Sequence, residues 1–214
     1  MIKGVLFDMD GVLVDSESYI SLAAILMFKE MGVIVSPEDF KPFTGMGENR
    51  YIGGVAEKHG IDVNIEKVKA RTYQIYEELV KGKLYPLPGS HEFIANCMKK
   101  GFKLALATSA DRIKMEVNLR EIGLSAGTFN SIITGLDVEK KKPSPDIYIL
   151  AAKSIGLEPN ECLVVEDAVS GVKAGKAAGS KCLAVTTSFD AAALSEADWI
   201  CESLLEVPDE VLNW

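Results

Sequence analysis

Four short apolar runs in this 214-residue chain lead to polar side chains of types that can act together on a ligand. Asp8 and Asp10 follow the first run, Thr108 the second and Glu166 the fourth, and the third run leads on to Lys142. If the runs are parallel strands, their carboxyl ends lie at one edge of the sheet, where open α/β sheets bind ligands. We therefore expect acids, a hydroxyl and a cation to meet at one rim.

The carboxylates in this set predict a hard divalent cation. Asp8 and Asp10 are two residues apart, so extended backbone points both side chains to the same side, and Gly11 then permits a sharp turn. Opposite Glu166 and Asp167 they would repel by about 4 kcal/mol for one pair at 4 Å and an effective dielectric of 20. A cation relieves that repulsion, and oxygen ligands without Cys or His spacing favour Mg²⁺ over zinc.

Each of these features also has a plainer explanation when taken alone. An Asp-Met-Asp-Gly sequence can be a solvated turn, and Thr108-Ser109 is typical of a helix N-cap, which remains compatible with anion binding. Lys142 can be a surface lysine in a charged loop, and Glu166-Asp167 can cap a helix that starts near Ala168. Their joint occurrence at strand ends favours a site.

The elements that would position these residues alternate between strand and helix. The apolar runs are nearly continuous, as in parallel strands covered on both faces, and each predicted helix is closed by a glycine. We predict an α/β fold with a doubly wound, Rossmann-like parallel sheet. Strands are predicted at 2–7, 103–107, 131–134, 162–165 and 181–185, and helices at about 90–100, 112–122, 145–155 and 169–178.

A helical segment interrupts this alternation after the first strand. It contains helix patterns at 19–31 and 65–81 without a convincing strand, and it ends in Leu84-Tyr85-Pro86-Leu87-Pro88-Gly89, a stiff linker. We predict a catalytic core formed by residues 1–15 and 85–214 and a small helical cap domain formed by residues 16–84.

Composition narrows the class of protein and its partners. A hydrophobic fraction of 48% with 25% charged residues is typical of a globular protein, and a formal charge of -8 opposes nucleic-acid binding. The chain has neither a signal-peptide pattern nor an apolar run approaching the roughly 18 residues of a membrane span. We expect a cytoplasmic monomer without a membrane or nucleic-acid partner. Its scattered cysteines are expected to be reduced core residues: Cys97, Cys162, Cys182 and Cys201.

Taken together, the motifs resemble those of the haloacid dehalogenase superfamily of phosphohydrolases, and more closely its β-phosphoglucomutase-like subgroup. The similarity covers nearly the whole chain, including the helical insert. The motifs are Phe7-Asp8-Met9-Asp10-Gly11-Val12-Leu13, Thr108-Ser109, Lys142-Pro143-Ser144-Pro145-Asp146 and Val165-Glu166-Asp167-Ala168-Val169-Ser170-Gly171.

The resemblance implies a Mg²⁺-dependent phosphoryl transfer to a carboxylate. Asp8 would attack phosphorus and become an aspartyl phosphate, while Asp10 protonates the leaving oxygen and later deprotonates water. Mg²⁺ would be held by Asp8, the backbone carbonyl of Asp10 and Asp167, with Glu166 as a direct or indirect partner. The remaining implied residues bind the phosphoryl group or substrate: Thr108, Lys142, Gly11, Ser109 and Ala110.

Asp10 distinguishes reaction classes within the superfamily. An acid at this position serves an alcohol leaving group, whereas halide displacement at carbon needs neither protonation nor metal, so phosphorus chemistry is favoured. β-Phosphoglucomutases carry a cap histidine at the place that corresponds to Ile20 of this chain, and this difference favours hydrolysis over transfer to a sugar. A phosphosugar mutase remains an alternative, and a non-catalytic phospholigand-binding or scaffold protein is the alternative from another class.

Substrate choice should reside in the cap, where a loop at 44–50 resembles the glycine-containing loop that meets the substrate. Arg50 is a candidate partner for a second anionic group, although an exposed arginine at a helix start is an equally good explanation. Lys69 and Arg71 are weaker candidates. The two histidines, His59 and His91, are expected to have no catalytic part.

Overall fold

The computed structural model describes residues 1–43 and 47–213 and contains a six-stranded, entirely parallel sheet. The strand order is β3-β2-β1-β4-β5-β6, so the winding direction reverses between β1 and β4. Such a switch point is where doubly wound sheets bind ligands. The predicted α/β fold is confirmed. The strands are β1 Gly4–Phe7, β2 Lys103–Ala107, β3 Ser131–Ile133, β4 Cys162–Glu166, β5 Lys181–Val185 and β6 Trp199–Cys201.

The strand register brings the ends of the central strands level with one another. Phe7 at the end of β1 pairs with Leu106 of β2 on one side and with Val165 of β4 on the other. Every residue of β1 and β4 is buried, because helices cover both faces of the sheet. The residues that directly follow these strands therefore share one edge of the sheet.

Helices on both faces connect the strands. Four of them lie after the cap segment, within two residues of the predicted bounds at each end: α5 Ser90–Lys99, α6 Arg112–Glu121, α7 Asp146–Ser154 and α8 Val169–Ala178. The sequence did not predict β6, because this three-residue edge strand lacks a long apolar run.

The segment between β1 and α5 contains four further helices within its described residues: α1 Glu17–Glu30, α2 Pro37–Phe40, α3 Glu48–Lys58 and α4 Ile65–Val80. Helix α1 packs along α4, and α4 also contacts α6 of the sheet-bearing part. Helices α2 and α3 were not predicted from the sequence. The former has only four residues, and the latter contains the pair Gly53-Gly54, which lowers helix propensity.

All four cysteines are buried and free, in agreement with their predicted place in the core. None of the helices in the described parts of the chain combines the length and apolarity needed to span a membrane. The boundaries of the core and cap domains stay a prediction.

Candidate active site

Three buried carboxylates meet at the switch point of the sheet. One oxygen each from Asp8, Glu166 and Asp167 lies within 4.8 Å of the others. This arrangement follows from the pairing of β1 with β4, because Asp8 directly follows β1 while Glu166 is the last residue of β4. The Nζ of Lys142 donates hydrogen bonds of 2.6 Å to both Asp8 Oδ1 and Glu166 Oε1. The structure thus brings these four predicted site residues together.

The electrostatics of this cluster suit a divalent cation. Burial raises the pKa of Asp8 to about 7, against the opposing effect of the Lys142 cation. Burial and the neighbouring Glu166 carboxylate raise the pKa of Asp167 to about 9. Near neutral pH, Asp167 therefore favours the protonated form and Asp8 is divided between its two forms, whereas a bound cation would favour the ionised form of both. Three clustered carboxylates are the hard oxygen ligands that Mg²⁺ prefers.

Glu166 differs from the other two acids because hydrogen-bond donors surround it. Burial opposes its ionisation, but Lys142 and the hydroxyl of Tyr148 outweigh burial and lower its pKa. The Tyr148 hydroxyl donates to Glu166 Oε1 at 2.7 Å, and Lys142 Nζ lies 5.1 Å from the centroid of the Tyr148 ring. Glu166 is therefore held ionised in a fixed position, where it can orient Lys142 and support a cation.

Two glycines allow the backbone to approach these carboxylates. Gly11 has φ +78°, and a Cβ atom there would lie 1.8 Å from Asp167 Oδ2. A Cβ at Gly171, in the first turn of α8, would lie 1.7 Å from Glu166 Oε1. Real Cβ contacts are never this short, so a larger residue at either position must displace a carboxylate. Gly11, predicted as a substrate residue, thus lies directly against Asp167.

We expect Gly171→Ala to lower both Mg²⁺ affinity and activity by at least about tenfold, because it must move the Glu166 carboxylate. Overpacking should also lower the free energy of unfolding by about 1–3 kcal/mol, partly offset by the better helix propensity of alanine. Calorimetric Mg²⁺ titration, phosphatase assays and chemical unfolding measure these effects.

Gly53→Ala in α3 is the matched control, because its Cβ would meet only Ile65 Cδ1 at an ordinary 3.6 Å. It should retain wild-type Mg²⁺ affinity. If Gly171→Ala also bound Mg²⁺ as the wild type does, the close approach of α8 to Glu166 would have no role in metal binding.

The segment after β2 supplies polar groups on the opposite side of Asp8. Thr108 is buried, and its Oγ1 accepts a hydrogen bond of 3.1 Å from the backbone N–H of Ala110. The N-cap position of α6 is Asp111, so helix capping does not explain the Thr108-Ser109 pair. Both residues line a cavity of about 170 Å³ together with Asp8 and Lys142. Polar groups in this position can donate hydrogen bonds to an anion in the cavity.

The Asp10 carboxylate points away from the three clustered acids and toward α6. Its Oδ2 accepts a hydrogen bond of 2.9 Å from Lys114 Nζ, and its Oδ1 accepts one of 3.3 Å from Asn118 Nδ2. The Ser16 hydroxyl, just before the first cap helix, also donates to Oδ1. Asp10 therefore bridges the sheet edge, α6 and the start of the cap, and it lines the cavity together with Asp8.

Sequence reasoning missed several residues of this site. Lys114 and Asn118 are buried polar residues four apart on α6, a spacing that places them on one helix face. Ser188 follows β5, and its hydroxyl donates to Asp167 Oδ2. The polar run Thr186-Thr187-Ser188 after a predicted strand was a usable signal, because the other site residues also follow strand ends. Tyr148, in the first turn of α7, gave no such signal.

The structure does not bring the predicted cap residue Arg50 into this cluster. Its guanidinium pairs with Glu57 Oε2 at 2.7 Å and lies 5.1 Å from the Phe43 ring centroid. Residues 44–46 of the predicted cap loop lie outside the described residues, whereas Gly47 and Glu48 line a second cavity beside Asp10.

The other basic cap candidates engage protein acids. Lys69 Nζ pairs with Asp111 Oδ2 at 2.9 Å, and Arg71 forms an exposed pair with Glu30 at 2.7 Å. His59 Nε2 lies 3.5 Å from Asp39 Oδ1, and the buried Nε2 of His91 has no hydrogen-bond partner among the described residues. None of these side chains lines the cavity that contains Asp8 and Lys142.

Comparisons with known proteins agree with this geometry. A family model described as haloacid dehalogenase-like hydrolase matches residues 5–185. Protein SUPPRESSOR OF QUENCHING 1, chloroplastic, of Arabidopsis thaliana is 44% identical over 201 residues, which are 92% of this chain but only 19% of that protein. The phosphorylated carbohydrates phosphatase of Thermotoga maritima is 32% identical over 222 residues, covering 99% of this chain and 97% of that protein.

A solved structure supports the fold independently. A Thermotoga maritima structure described as a putative β-phosphoglucomutase superimposes with a TM-score of 0.75 at 30% identity, covering 99% of this chain and 97% of that one. The predicted resemblance to the β-phosphoglucomutase-like subgroup and the predicted phosphatase class are confirmed by these matches. With its carboxylate cluster at the switch point and a family match over most of its length, the chain belongs to the haloacid dehalogenase-like hydrolases.

Proposed function

We propose that this chain hydrolyses phosphate monoesters of small carbohydrate-like metabolites in a Mg²⁺-dependent reaction through an aspartyl phosphate on Asp8. The observation that carries the proposal is the buried contact of Asp8 with Lys142 beside Glu166 and Asp167, with Asp10 on the same cavity. Relatives in the family include a phosphatase of phosphorylated carbohydrates.

In the first step, an oxygen of Asp8 forms a bond to phosphorus while the bond from phosphorus to the ester oxygen breaks. Asp10 donates a proton to the departing oxygen, which leaves as an alcohol. Lys142 and the groups around Thr108 bind the equatorial phosphoryl oxygens, where charge is concentrated. In the second step, Asp10 accepts a proton from water as the water oxygen attacks phosphorus and releases Asp8.

A bound Mg²⁺ would neutralise charge on the carboxylates and on the phosphoryl group. Asp8, Glu166 and Asp167 are the residues whose oxygens would hold it or support its ligands. We further propose that the backbone carbonyl of Asp10 is a ligand, as the resemblance implies. Ser188 fixes the Asp167 carboxylate from the side of β5.

Hydrolysis is favoured over phosphosugar mutation by the apolar residue near Asp10. Ile20 is buried and lines the second cavity, and an isoleucine can neither donate a proton nor hydrogen-bond a sugar phosphate. The alternative of a non-catalytic scaffold protein does not explain the buried ion cluster. An isolated buried cluster of this kind destabilises a fold, and a scaffold does not need it.

The test is phosphate release from 4-nitrophenyl phosphate by the purified protein, with Mg²⁺ and with EDTA. We expect turnover with Mg²⁺ and a loss of at least about a hundredfold with EDTA, because the cation stabilises transition-state charge. Absence of turnover combined with absence of phosphate-mimic binding to the Mg²⁺-loaded protein would instead favour the scaffold. β-Glucose 1-phosphate with a bisphosphate activator separates the two enzyme classes: glucose as product indicates hydrolysis, and glucose 6-phosphate indicates mutation.

We also propose four further properties of the protein that its sequence predicts. They are a monomeric state, a cytoplasmic location, and the absence of nucleic-acid and membrane partners. Size-exclusion chromatography with light scattering measures the first of these.

A further inference from the structure

A second cavity of about 70 Å³ continues from the cavity that contains Asp8 and Lys142. The two cavities share Asp10, Glu17 and Ser109 as lining residues. A phosphoryl group bound near Asp8 would therefore direct the rest of its ester past the proton donor Asp10 and into this second cavity. We name it the leaving-group cavity, lined at its far side by Glu48, Tyr51 and Lys114.

The charged side chains that line the leaving-group cavity carry more negative than positive charge. Glu17 comes from α1 and Glu48 from α3, so two of the cap helices each contribute a carboxylate. Lys114 is the single cation among the described lining residues, and it is buried and already paired with Asp10 at 2.9 Å. Its charge is thus largely neutralised before a ligand enters.

Glu48 shares this region with two further carboxyl groups, those of Asp10 and Asp111. Burial raises its pKa to about 7, and Asp111 and Asp10 add to the increase while Lys114 opposes it. Arg50, the candidate partner for a second anionic group, is two residues further along and bound to Glu57 instead. An anionic group in the cavity would meet two carboxylates without an available cation among the described lining residues.

We propose that Glu17 and Glu48 make the enzyme selective for monophosphates whose far end carries neutral hydroxyl groups. This selectivity rests on the proposed phosphatase function. The two carboxylates accept hydrogen bonds from hydroxyls, because ionised carboxyls are acceptors only. They repel a second phosphate or a carboxylate on the substrate. Bisphosphates and phosphorylated sugar acids are therefore poor ligands.

The matched probes for this proposal are glucitol 6-phosphate and 6-phosphogluconate. Both are open-chain monophosphates, and they differ only in a terminal CH₂OH group against a carboxylate. Each is measured as a competitive inhibitor of 4-nitrophenyl phosphate hydrolysis, with Mg²⁺, at low ionic strength and pH 8. This readout gives an affinity whether or not the probe is itself hydrolysed.

We expect the wild type to bind glucitol 6-phosphate at least about tenfold more tightly than 6-phosphogluconate, which is the effect of one moderately screened like-charge contact. Glu48→Gln and Glu17→Gln should each reduce this ratio by about threefold or more, mainly by improving 6-phosphogluconate binding. Added salt should reduce the wild-type ratio as well. Glu116→Gln removes an exposed carboxylate from α6, the helix that carries Lys114, but outside the cavity, so it should leave the ratio unchanged.

The outcomes separate this inference from the proposed function. If 4-nitrophenyl phosphate is hydrolysed but the wild type binds both probes alike, or prefers 6-phosphogluconate, the selectivity is wrong while the phosphatase function stands. An unchanged ratio in both Glu17→Gln and Glu48→Gln would also overturn it. If no aryl phosphate is hydrolysed in the presence of Mg²⁺, the proposed function itself fails.

Discussion

Asp8→Asn is expected to lower kcat/KM for every phosphate ester by at least about 10⁴-fold, the largest loss predicted for this protein. An amide oxygen is too weak a nucleophile to form the acyl phosphate, and the substitution also removes a proposed metal ligand. The loss should be independent of the leaving group, because the bond to phosphorus cannot form with any ester. Initial-rate assays with aryl and alkyl phosphates measure it.

The same substitution should leave the fold intact. Burial raises the pKa of Asp8 to about 7, so ionised Asp8 at pH 8 in the absence of Mg²⁺ destabilises the fold in a way that a neutral amide does not. We therefore expect a melting temperature equal to or above that of the wild type under those conditions, and a smaller increase on adding Mg²⁺.

Asp62→Asn is the control, since Asp62 is exposed in the cap and lies outside the cavity that contains Asp8. It should match the wild type in both assays. Residual Asp8→Asn activity within about tenfold of the wild type would exclude Asp8 as the nucleophile.

Asp10→Asn should have the second largest effect, and this effect should depend on the leaving group. A sugar alkoxide needs a proton in order to depart, so kcat/KM for an alkyl phosphate should fall by about 10²–10⁴-fold. 4-Nitrophenolate leaves without protonation, so its kcat/KM should fall by no more than about tenfold. This ratio reports steps up to the first leaving-group departure, and slow hydrolysis of the aspartyl phosphate therefore does not obscure it.

Asp137→Asn is the control, because it makes the same substitution at a capping carboxylate after β3 that lines neither cavity. It should affect both esters alike and only slightly. If Asp10→Asn impaired good and poor leaving groups to the same extent, Asp10 would act in positioning and not as the acid.

Lys114 and Asn118 give Asp10 a structural role at the junction of the cap and the sheet. Asn118 contacts Asp10 and also accepts a hydrogen bond from Tyr76 of α4. Asp10, the proposed proton donor, is therefore linked through one side chain to a cap helix. A ligand in the leaving-group cavity, which touches both α1 and α3, contacts the same assembly from the other side.

The sequence by itself determined the parallel sheet, apart from the edge strand β6, and the residues at its ligand-binding edge. Continuous apolar runs between glycine-terminated helices indicate buried parallel strands, and parallel strands place their carboxyl ends together. Asp8, Thr108 and Glu166 could thus be assigned to one site before their distances were known. The charges of Glu166 and Asp167 beside Asp8 also indicated a cation, because clustered carboxylates repel without one.

Only the tertiary structure decided which side chains point into the site from helices and from the cap. The rotation of α6 that buries Lys114, and of α7 that aims Tyr148 at Glu166, results from packing between distant segments. Arg50 and Glu48 are two residues apart, yet Glu48 lines the leaving-group cavity whereas Arg50 pairs with Glu57. Local pattern fixes which residues follow a strand, but the face that a helix buries depends on contacts remote in sequence.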